Sequence, residues 1–472
     1  MRLSWELLLL TPRAFGAGGA RAGLVGRAGS GERARCGVRV CVWWGGPRVA
    51  CWGSIWEMRQ GAETASSLTG KGQHELDTGG RAHIGYFTYG RSYLAREEAI
   101  PLDPINLPLR AGEFRTTLNH GVFGALRDTA PDYWGRLVIE RRRWPEDELD
   151  YLLATADVRV GSMSFARTTT HPALDYSSAL PMSALDRAAD AASALEAGVA
   201  GEVLEFDVDL ELLDPSSGVG GARPKTIVVD DHGQLWIAKF PSRQDRVNNA
   251  AAEATCLRLA ERCGIDVPDF RILEVDGRAI LLTRRFDQRP GPMRRSLLSA
   301  HSLLGLGISI TNRTGWSYID LAHVLRRISV DPERDAQALY RRAIFNALIS
   351  NTDDHPRNHA VIWGQNGWEL SPAYDLAPSI TKSQDQRLLA MEIGADPDTD
   401  PRWANRANII SSAGHFGFSR TEADHLISEM KEVVASEWRL VAREVAPDLE
   451  IEDQIEHAFP DRYPGFEHPS LG

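Results

Sequence analysis

The stretch that decides the fold is Phe345-Asn-Ala-Leu-Ile-Ser-Asn-Thr-Asp-Asp-His-Pro-Arg-Asn-His359, followed closely by Leu370-Ser-Pro-Ala-Tyr-Asp375. Apolar residues recur at helical spacing before the polar loop, which predicts a helix that ends near Ser350. Pro356 cannot continue a helix, so the loop is a true break. Two short strands are predicted on either side of a turn at Gly364–Gly367. The resulting order is a helix, a polar loop with Asp353 and Asn358, a hairpin and then a second aspartate, Asp375.

This order suits phosphoryl transfer. In that chemistry one carboxylate orients and deprotonates the attacking hydroxyl, while an Asn and a second carboxylate hold magnesium against the ATP phosphates. The plainer interpretation is a helix-capping Asp-Asp pair followed by an ordinary hairpin. The segment alone leaves both open, and the decision depends on whether an ATP-handling half precedes it.

Composition bounds the remaining possibilities. A chain of 472 residues can form two or three domains with a substantial core. Its net charge of −11 argues against stand-alone, nonspecific binding of nucleic acid. No apolar run approaches the roughly 18–20 residues that a membrane helix needs, so no membrane span is predicted. Five cysteines without a C-x-x-C pair disfavour a disulfide framework or zinc ribbon and predict a cytoplasmic protein.

The two ends differ from the rest of the chain. Residues 1–37 are rich in Gly, Ala and Arg and are predicted to be a disordered or spurious extension, with a basic targeting arm as the alternative. Residues 461–472, rich in Pro and Gly, are predicted to form a loose tail.

Residues 38–165 have the pattern of a strand-rich subdomain. Strands are predicted at Val38–Trp43, at Arg48–Trp52 and at His83–Tyr89, with a polar loop over residues 60–80. A helix is predicted from Pro131 to Arg143 and ends in basic residues, which are favourable near a helix C-terminus.

Residues 166–283 carry the features of an ATP-handling lobe. Gly218–Thr226 is a glycine-rich turn that enters a strand, and glycines let backbone N–H groups approach phosphate closely. The next strand ends in Lys239, and the helix Val247–Cys263 places Glu253 at the edge of its buried stripe. The dipeptide Asp276-Gly277 then predicts a hairpin.

Lysine is rare in this chain, because arginine carries most of the positive charge. The lysines are Lys71, Lys225, Lys239, Lys382 and Lys431. A lysine on an otherwise apolar strand face must find an anion or suffer desolvation, so Lys239 is a candidate phosphate ligand with Glu253 as its partner. The alternative is an edge-strand lysine whose head reaches solvent.

Residues 284–460 are helical in pattern around the decisive loop, and Ser419-x-x-Glu422 predicts a capping box that opens a long helix. The order glycine-rich turn, strand lysine, helix glutamate, hinge strand, polar loop and final aspartate predicts an α+β protein. Its architecture is a two-lobed protein-kinase-like fold with a strand-rich N-terminal subdomain and a helical C-terminal lobe.

These residues resemble the HipA-like serine/threonine kinases, the toxins of bacterial toxin–antitoxin pairs. The resemblance covers roughly residues 38–460, and the loop string is its most specific part. The matching strings are Tyr89-Gly-Arg-Ser-Tyr-Leu94, Ala130-Pro-Asp-Tyr-Trp-Gly-Arg136, Val158-Arg-Val-Gly-Ser-Met-Ser-Phe165, Gly220-Gly-Ala-Arg-Pro-Lys-Thr226, Trp236-Ile-Ala-Lys-Phe-Pro241, Arg285-Phe-Asp287, Asn351-Thr-Asp-Asp-His-Pro-Arg-Asn358 and Pro372-Ala-Tyr-Asp375.

The resemblance implies a role for each site residue. Asp353 would be the catalytic base, with Asn358 and Asp375 as magnesium ligands. The residues implied to bind ATP are Gly220, Gly221, Ala222, Arg223, Lys225, Lys239, Glu253, Arg284, Phe286, His355 and Tyr374. Family members phosphorylate a serine just before the phosphate loop and so inactivate themselves. Gly218 stands at that position here, which makes the neighbouring Ser217 only a candidate.

The resemblance also implies cofactors and partners. ATP and Mg²⁺ are the expected cofactors. The expected partner is a helix-turn-helix antitoxin of the HipB type, which would connect the kinase to DNA only indirectly. The expected substrate is a protein, for which an aminoacyl-tRNA synthetase is the family's example.

Three other functions are weighed against this one. A small-molecule phosphotransferase of the same fold would share Asp353, Asn358 and Asp375 but would not explain residues 38–165. A catalytically silent regulator that binds antitoxin and DNA would be expected to lack a key residue, and all are present. A metallohydrolase using His355 and His359 would need both on one helix face, which the proline between them disfavours.

Overall fold

The computed structural model describes residues 38–44, 67–76, 83–142, 144–145, 147–155, 158–166, 179–199, 210–213, 223–288, 294–308, 313–379, 387–459 and 466–467. Five predictions concern residues outside these ranges: the N-terminal extension, the strand at 48–52, the glycines and alanine at 218–222, the candidate Ser217, and most of the C-terminal tail. All described elements belong to one compact unit, residues Gly37–Gly472.

The first sheet is antiparallel, and its strand order is β4-β3-β2-β1-β5. Its strands are β1 Val38–Trp44, β2 Ser67–Leu76, β3 His83–Tyr89, β4 Glu113–Thr116 and β5 Met163–Ala166. Four helices accompany it: α1 Arg91–Leu94, α2 Gly124–Arg127, α3 Tyr133–Arg142 and α4 Glu148–Ala154. The prediction of a loop over residues 60–80 is wrong for residues 67–76, where β2 lies. Its glycine-rich, polar sequence lacks strand alternation, and pairing with both β1 and β3 overrides that weak propensity.

The second sheet has the order β6-β7-β8-β10-β9 and forms the lobe beside the cleft. Its strands are β6 Leu180–Pro181, β7 Lys225–Val229, β8 Leu235–Lys239, β9 Phe270–Val275 and β10 Arg278–Arg284. Its helices are α5 Leu185–Val199 and α6 Asn249–Arg262. The hairpin between β9 and β10 is as predicted: Asp276 and Gly277 both have positive φ, 50° and 72°, as a tight type I′ turn requires.

The helical part follows, with a small sheet of order β11-β12-β13. These strands are β11 Leu297–Ser299, β12 Ala360–Trp363 and β13 Trp368–Leu370. The helices are α7 Ala300–Leu303, α8 Tyr318–Ile328, α9 Pro332–Leu348, α10 Arg406–Ser411, α11 Arg420–Val445 and α12 Glu452–Ile455. The predicted capping box opens α11, with Ser419 and Glu422 bonded reciprocally.

Helix α9 leads directly into the decisive loop. It begins at Pro332 behind the N-cap Asp331, and its last two turns are almost wholly buried. Because α9 is fixed in the core, the loop that follows Leu348 starts from a rigid base. No helix among the described ranges is long and apolar enough to cross a membrane.

Candidate active site

A lysine bonded to two carboxylates occupies the cleft between the second sheet and the helical part. Lys239 Nζ lies 2.7 and 2.9 Å from the two carboxylate oxygens of Glu253 and 2.7 Å from Asp375 Oδ1. Lys239 ends β8, Glu253 lies in the second turn of α6, and Asp375 follows β13. Three distant parts of the chain therefore meet at one ammonium group.

The two carboxylates dominate the electrostatics around the Lys239 ammonium. Burial alone would lower the pKa of Lys239, but the charges of Asp375 and Glu253 outweigh it and raise that pKa. Burial would likewise raise the pKa of Asp375, but the Lys239 ammonium lowers it to about 2. Burial raises the pKa of Glu253 despite the attraction of Lys239. Asp375 is therefore the carboxylate that stays ionised most firmly.

Asp375 also has an unusual backbone. Its φ is +60°, a left-handed conformation that L-residues other than Asn and Asp seldom adopt. Its side chain is 35% exposed, whereas that of Glu253 is 8% exposed. Backbone strain of this kind tends to occur at functional sites, where surrounding structure fixes it. Asp375 thus presents an ionised carboxylate to the cleft from a constrained position.

The decisive loop carries Asp353 and Asn358 on a compact turn. The backbone N–H of His355 donates to Asp353 O at 2.8 Å, and the N–H of Asn358 donates to His355 O at 2.8 Å. Pro356–Asn358 form a single 3₁₀ turn, so the predicted break in the helix is present. Asp353 is exposed, Asn358 is buried, and partial desolvation raises the pKa of Asp353.

Aromatic and apolar side chains line the part of the cleft that contains Arg284, Phe286 and Tyr374, three of the residues implied to bind ATP. The rings of Phe286 and Tyr374 are 5.8 Å apart, and the Tyr374 hydroxyl donates to Arg357 O at 2.8 Å. Arg284 borders the same cleft but its guanidinium pairs with Asp269 at 2.9 Å. The pocket joins these residues to Ile237, Leu257, Thr283, Lys239 and Asp375.

His355 lies beside the loop with part of its ring unsatisfied. Its Nδ1 is buried and has no hydrogen-bond partner among the described residues, and its ring meets Trp316 edge to face at 6.3 Å between centroids. A buried nitrogen without a partner is costly unless a ligand or water completes it. This atom therefore fits the prediction that His355 lies beside a bound nucleotide.

The other two predicted ATP ligands in the described ranges are already paired with carboxylates. Arg223 Nη1 lies 2.7 Å from Asp245 Oδ1. Lys225 Nζ lies 2.5 Å from Asp132 Oδ2, and the side chains of that pair are 3% and 5% exposed. Lys225 also lines the pocket, so its role toward ATP stays a prediction.

The structure adds cleft residues that the sequence did not single out. The strand-rich subdomain contributes to the cleft wall, and Asp128 ties it to the helical part by accepting from Ser299 N and Oγ, both at 2.7 Å. Arg357 also lines the pocket. The string Ala130-Pro-Asp-Tyr-Trp-Gly-Arg136 was singled out only by the family resemblance, which gave no role to Asp132.

The residues present fit ATP and magnesium chemically. Asp375 and Asn358 offer a carboxylate and an amide oxygen, the ligands that Mg²⁺ prefers when phosphates complete its shell. Lys239 offers a compact cation suited to phosphate. By contrast, the described residues contain no group of three or more His, Cys, Asp or Glu arranged for a metal ion, and His359 Nε2 is bonded to Asp354 at 2.8 Å. The metallohydrolase alternative therefore has no support in the described part of the chain.

Comparison with known proteins gives several matches. Residues 217–438 match the model of the HipA-like C-terminal domain. The putative kinase Y4mE of Sinorhizobium fredii is 28% identical over 165 residues, which are 34% of this chain and 38% of that protein. The serine/threonine-protein kinase toxin HipA of Shewanella oneidensis is 29% identical over 182 residues, 35% of this chain and 41% of that protein. The matched segments thus span about two fifths of these relatives.

A solved structure covers much more of the chain. It is the complex of HipA, HipB and operator DNA from Shewanella oneidensis MR-1, with a TM-score of 0.57 over 84% of this chain and 95% of that one. At 18% identity this likeness shows the fold alone. The predicted α+β, kinase-like fold is confirmed. The match of residues 217–438 to the HipA-like C-terminal domain model, together with these relatives, confirms that this chain resembles the HipA-like kinase family.

Proposed function

We propose that this chain is an ATP- and Mg²⁺-dependent serine/threonine-protein kinase that acts as the toxin of a toxin–antitoxin pair. The observation that carries the proposal is the Lys239 ammonium, held by Glu253 and Asp375 in a cleft that is also lined by Arg357, a residue of the loop that carries Asp353. This set contains a phosphate-binding cation, a metal-binding carboxylate and an exposed base. The kinase-named relatives support the same chemistry.

Each residue has a defined task in this proposal. Lys239 would donate hydrogen bonds to the ATP phosphates, with Glu253 keeping its ammonium in place. Asn358 and Asp375 would hold the Mg²⁺, which when bound neutralises charge on the phosphates. Asp353, exposed on its loop, would accept the proton of a substrate hydroxyl. Most of the rate would come from positioning and charge stabilisation, because phosphoryl transfer asks little covalent chemistry of the protein.

The proposed partners follow from the relatives. The solved complex contains HipA together with HipB and operator DNA. We therefore propose a helix-turn-helix antitoxin as the partner of this chain, with DNA bound only through it. A protein serine would be the acceptor, with an aminoacyl-tRNA synthetase as the first candidate to assay, and the cytoplasm would be the site of action. Autophosphorylation at Ser217 stays part of the proposal.

The test of the proposal is transfer from γ-labelled ATP with Mg²⁺ by the wild type and by Asp353→Asn. Loss of the base should reduce transfer by about 10²–10⁴-fold and leave nucleotide binding intact, because Asn keeps the size of the side chain. Asp398→Asn makes the same isosteric change at an exposed aspartate and serves as the matched control. Peptide mapping then locates any label, on Ser217 or on an added substrate.

Two results would contradict the proposal in different ways. If Asp353→Asn transfers phosphate at the wild-type rate, Asp353 is not the base. If the wild type binds ATP but labels neither itself nor any substrate, including the synthetases of a cell extract, the silent-regulator alternative gains.

A further inference from the structure

A buried polar cluster lies behind the loop that presents Asp353 and Asn358. Asp354 Oδ2 lies 2.8 Å from His359 Nε2, and both side chains are 2% exposed. The Tyr318 hydroxyl donates to the same oxygen of Asp354. None of these three side chains has a task in the proposed reaction, so their burial together needs another explanation.

The sequence positions of the two partners suggest that explanation. Asp354 directly follows Asp353, and His359 directly follows Asn358. The bond between Asp354 and His359 therefore joins the two flanks of the loop on its buried side. The 2.8 Å bond from Asn358 N to His355 O tightens the same turn from within. We call the hydrogen-bonded pair of Asp354 and His359 the clasp.

The clasp is anchored to two rigid helices. Tyr318 is the first residue of α8, and Asn346 in α9 donates from Nδ2 to the Tyr318 hydroxyl at 3.3 Å. Asn351, at the start of the loop, donates to Asn346 Oδ1 at 3.0 Å. Asp354, Tyr318, Asn346 and Asn351 thus form a continuous buried network from the loop into the core. Hydrogen bonds are stronger in a low-dielectric interior than in water, so this chain of buried bonds restricts the orientation of Asp354.

The structure assigns a positioning role to the clasp: Asp354 and His359 fix the spacing and orientation of Asp353 and Asn358. The assignment rests on the proposed function, in which Asp353 is the base and Asn358 a magnesium ligand. Without the clasp the loop can still fold, but its two functional side chains are no longer held relative to each other. A misplacement of about 1 Å can cost about 10²-fold in rate. The Lys239 site, on other elements, is unaffected.

The experiment compares Asp354→Ala and Asp354→Asn with the wild type in full-length protein. Two readouts separate positioning from a general loss of structure: the split between kcat and the KM for ATP, and the Mg²⁺ concentration that gives half-maximal transfer. We expect Asp354→Ala to lower kcat by about 10- to 100-fold and to raise the half-maximal Mg²⁺ concentration several-fold, with the KM for ATP changed less than about two-fold. Asp354→Asn should recover much of the rate, because its amide oxygen can still accept from Tyr318 and His359.

Asp103→Ala is the matched control. Asp103 is equally buried and accepts from Ile105 N at 2.8 Å, from Asn106 N at 2.9 Å and from Asn106 Nδ2 at 2.8 Å, but it lies in the strand-rich subdomain. The Asp103→Ala variant should be less stable than the wild type but should keep the Mg²⁺ dependence of its transfer rate. If Asp354→Ala and Asp103→Ala change kcat and Mg²⁺ dependence alike, the clasp has no positioning role.

Hydrogen–deuterium exchange of the peptide 351–359 tests the clasp independently of catalysis. Asp354→Ala should lose protection in this peptide, and Asp103→Ala should not. Unchanged protection in Asp354→Ala would overturn the inference even if the kinase activity is confirmed. Conversely, a wild type that transfers no phosphate defeats the proposed function, while the exchange result still decides whether the clasp orders the loop.

Discussion

Two lysines face each other across neighbouring strands and have different surroundings. Lys225 on β7 and Lys239 on β8 are register partners in an antiparallel pair, so their side chains lie on the same face of the sheet. Lys239 is bonded to Glu253 and Asp375 in the cleft, and its side chain is 18% exposed. Lys225 is bonded to Asp132 from the strand-rich subdomain, and its side chain is only 3% exposed.

The comparison distinguishes an ion pair that we expect mainly to stabilise the fold, Lys225 with Asp132, from the ion pairs of the proposed active site, those of Lys239. Like charges directly opposite each other on a sheet repel, so both lysines need carboxylates nearby. The Asp132 carboxylate closes Lys225 off from solvent, and removing one partner of this pair leaves the charge of the other buried. Glu253 and Asp375 leave the Lys239 ammonium open to the cleft, where a phosphate can approach. We therefore expect loss of Lys225 to reduce stability most, and loss of Lys239 to reduce transfer most.

The largest expected effect is on stability, from Lys225→Met. The substitution leaves Asp132 buried without its cation, which should lower the free energy of unfolding by about 3–5 kcal/mol. Adding Asp132→Asn should restore much of this loss, because the introduced amide has no charge to bury and its oxygen can still accept from Gly135 N, as Asp132 does at 2.8 Å. Denaturant unfolding of the two single variants and the double variant measures the coupling.

The matched control makes the same substitution at the surface. Lys431 pairs with Glu467 at 2.6 Å, and their side chains are 31% and 34% exposed. Lys431→Met should cost only about 0–1 kcal/mol, since solvent screens an exposed pair. Equal losses for Lys225→Met and Lys431→Met would show that burial does not distinguish the two pairs.

The next largest effect is on transfer, from Lys239→Met. Removing one preorganised donor to a transferring group costs about 10²–10³-fold, so kcat/KM for ATP should fall by about that factor. The loss of stability should be smaller than for Lys225→Met. The Asp375 carboxylate is 35% exposed, so water can solvate it, and the buried Glu253, whose pKa is already raised by burial, can take up a proton. Steady-state transfer and unfolding are measured on the same preparations.

Lys239→Arg sharpens this result. It keeps the charge but replaces a compact ammonium by a wide planar fork, which cannot reproduce the three short bonds of Lys239. We expect its transfer rate to lie between those of the wild type and of Lys239→Met. If Lys239→Met retains wild-type kcat/KM, the ammonium does not act on ATP and the contrast with Lys225 fails.

The same comparison shows what could be predicted from the sequence. The pairing of Lys239 with Glu253 was predicted from local patterns, because the strand fixes the face of the lysine and the helix stripe fixes that of the glutamate. Asp132 lies 93 residues from Lys225 and Asp375 lies 136 residues from Lys239. Contacts over such separations depend on how the lobes pack, and no periodicity encodes them.

Local irregularity limited the prediction elsewhere. Strand β2 was missed because its glycine and polar residues gain strand conformation only from its two neighbours. The loop after α9 was found because a proline and a run of polar residues end a strong helical pattern. Its internal bond between Asp354 and His359 was not predicted, since a turn of this kind has no repeating geometry.

The smallest expected effect comes from His301, a buried base. In contrast to Lys225, it forms no ion pair with a carboxylate of the described residues. Burial, helped by the charge of Arg357, lowers the pKa of His301 to about 3 from an ordinary value of 6.5. The folded pKa is depressed, so the neutral form is favoured in the folded state. The contribution of neutral His301 to the free energy of unfolding is therefore fully present above about pH 6.5 and is lost as the pH falls from 6.5 towards 3. At pH 5.5 the loss should be about 1.4 kcal/mol.

His301→Gln removes the titration and keeps a polar side chain of similar size, so the comparison isolates this one group. Between pH 7.5 and 5.5 the unfolding free energy of the wild type should fall by about 1.4 kcal/mol more than that of His301→Gln, provided that both unfold reversibly. Parallel curves would mean that His301 is as easily protonated in the folded chain as in the unfolded one. In that case burial without a carboxylate would not keep a base neutral here, and the importance assigned to Asp132 beside Lys225 would weaken accordingly.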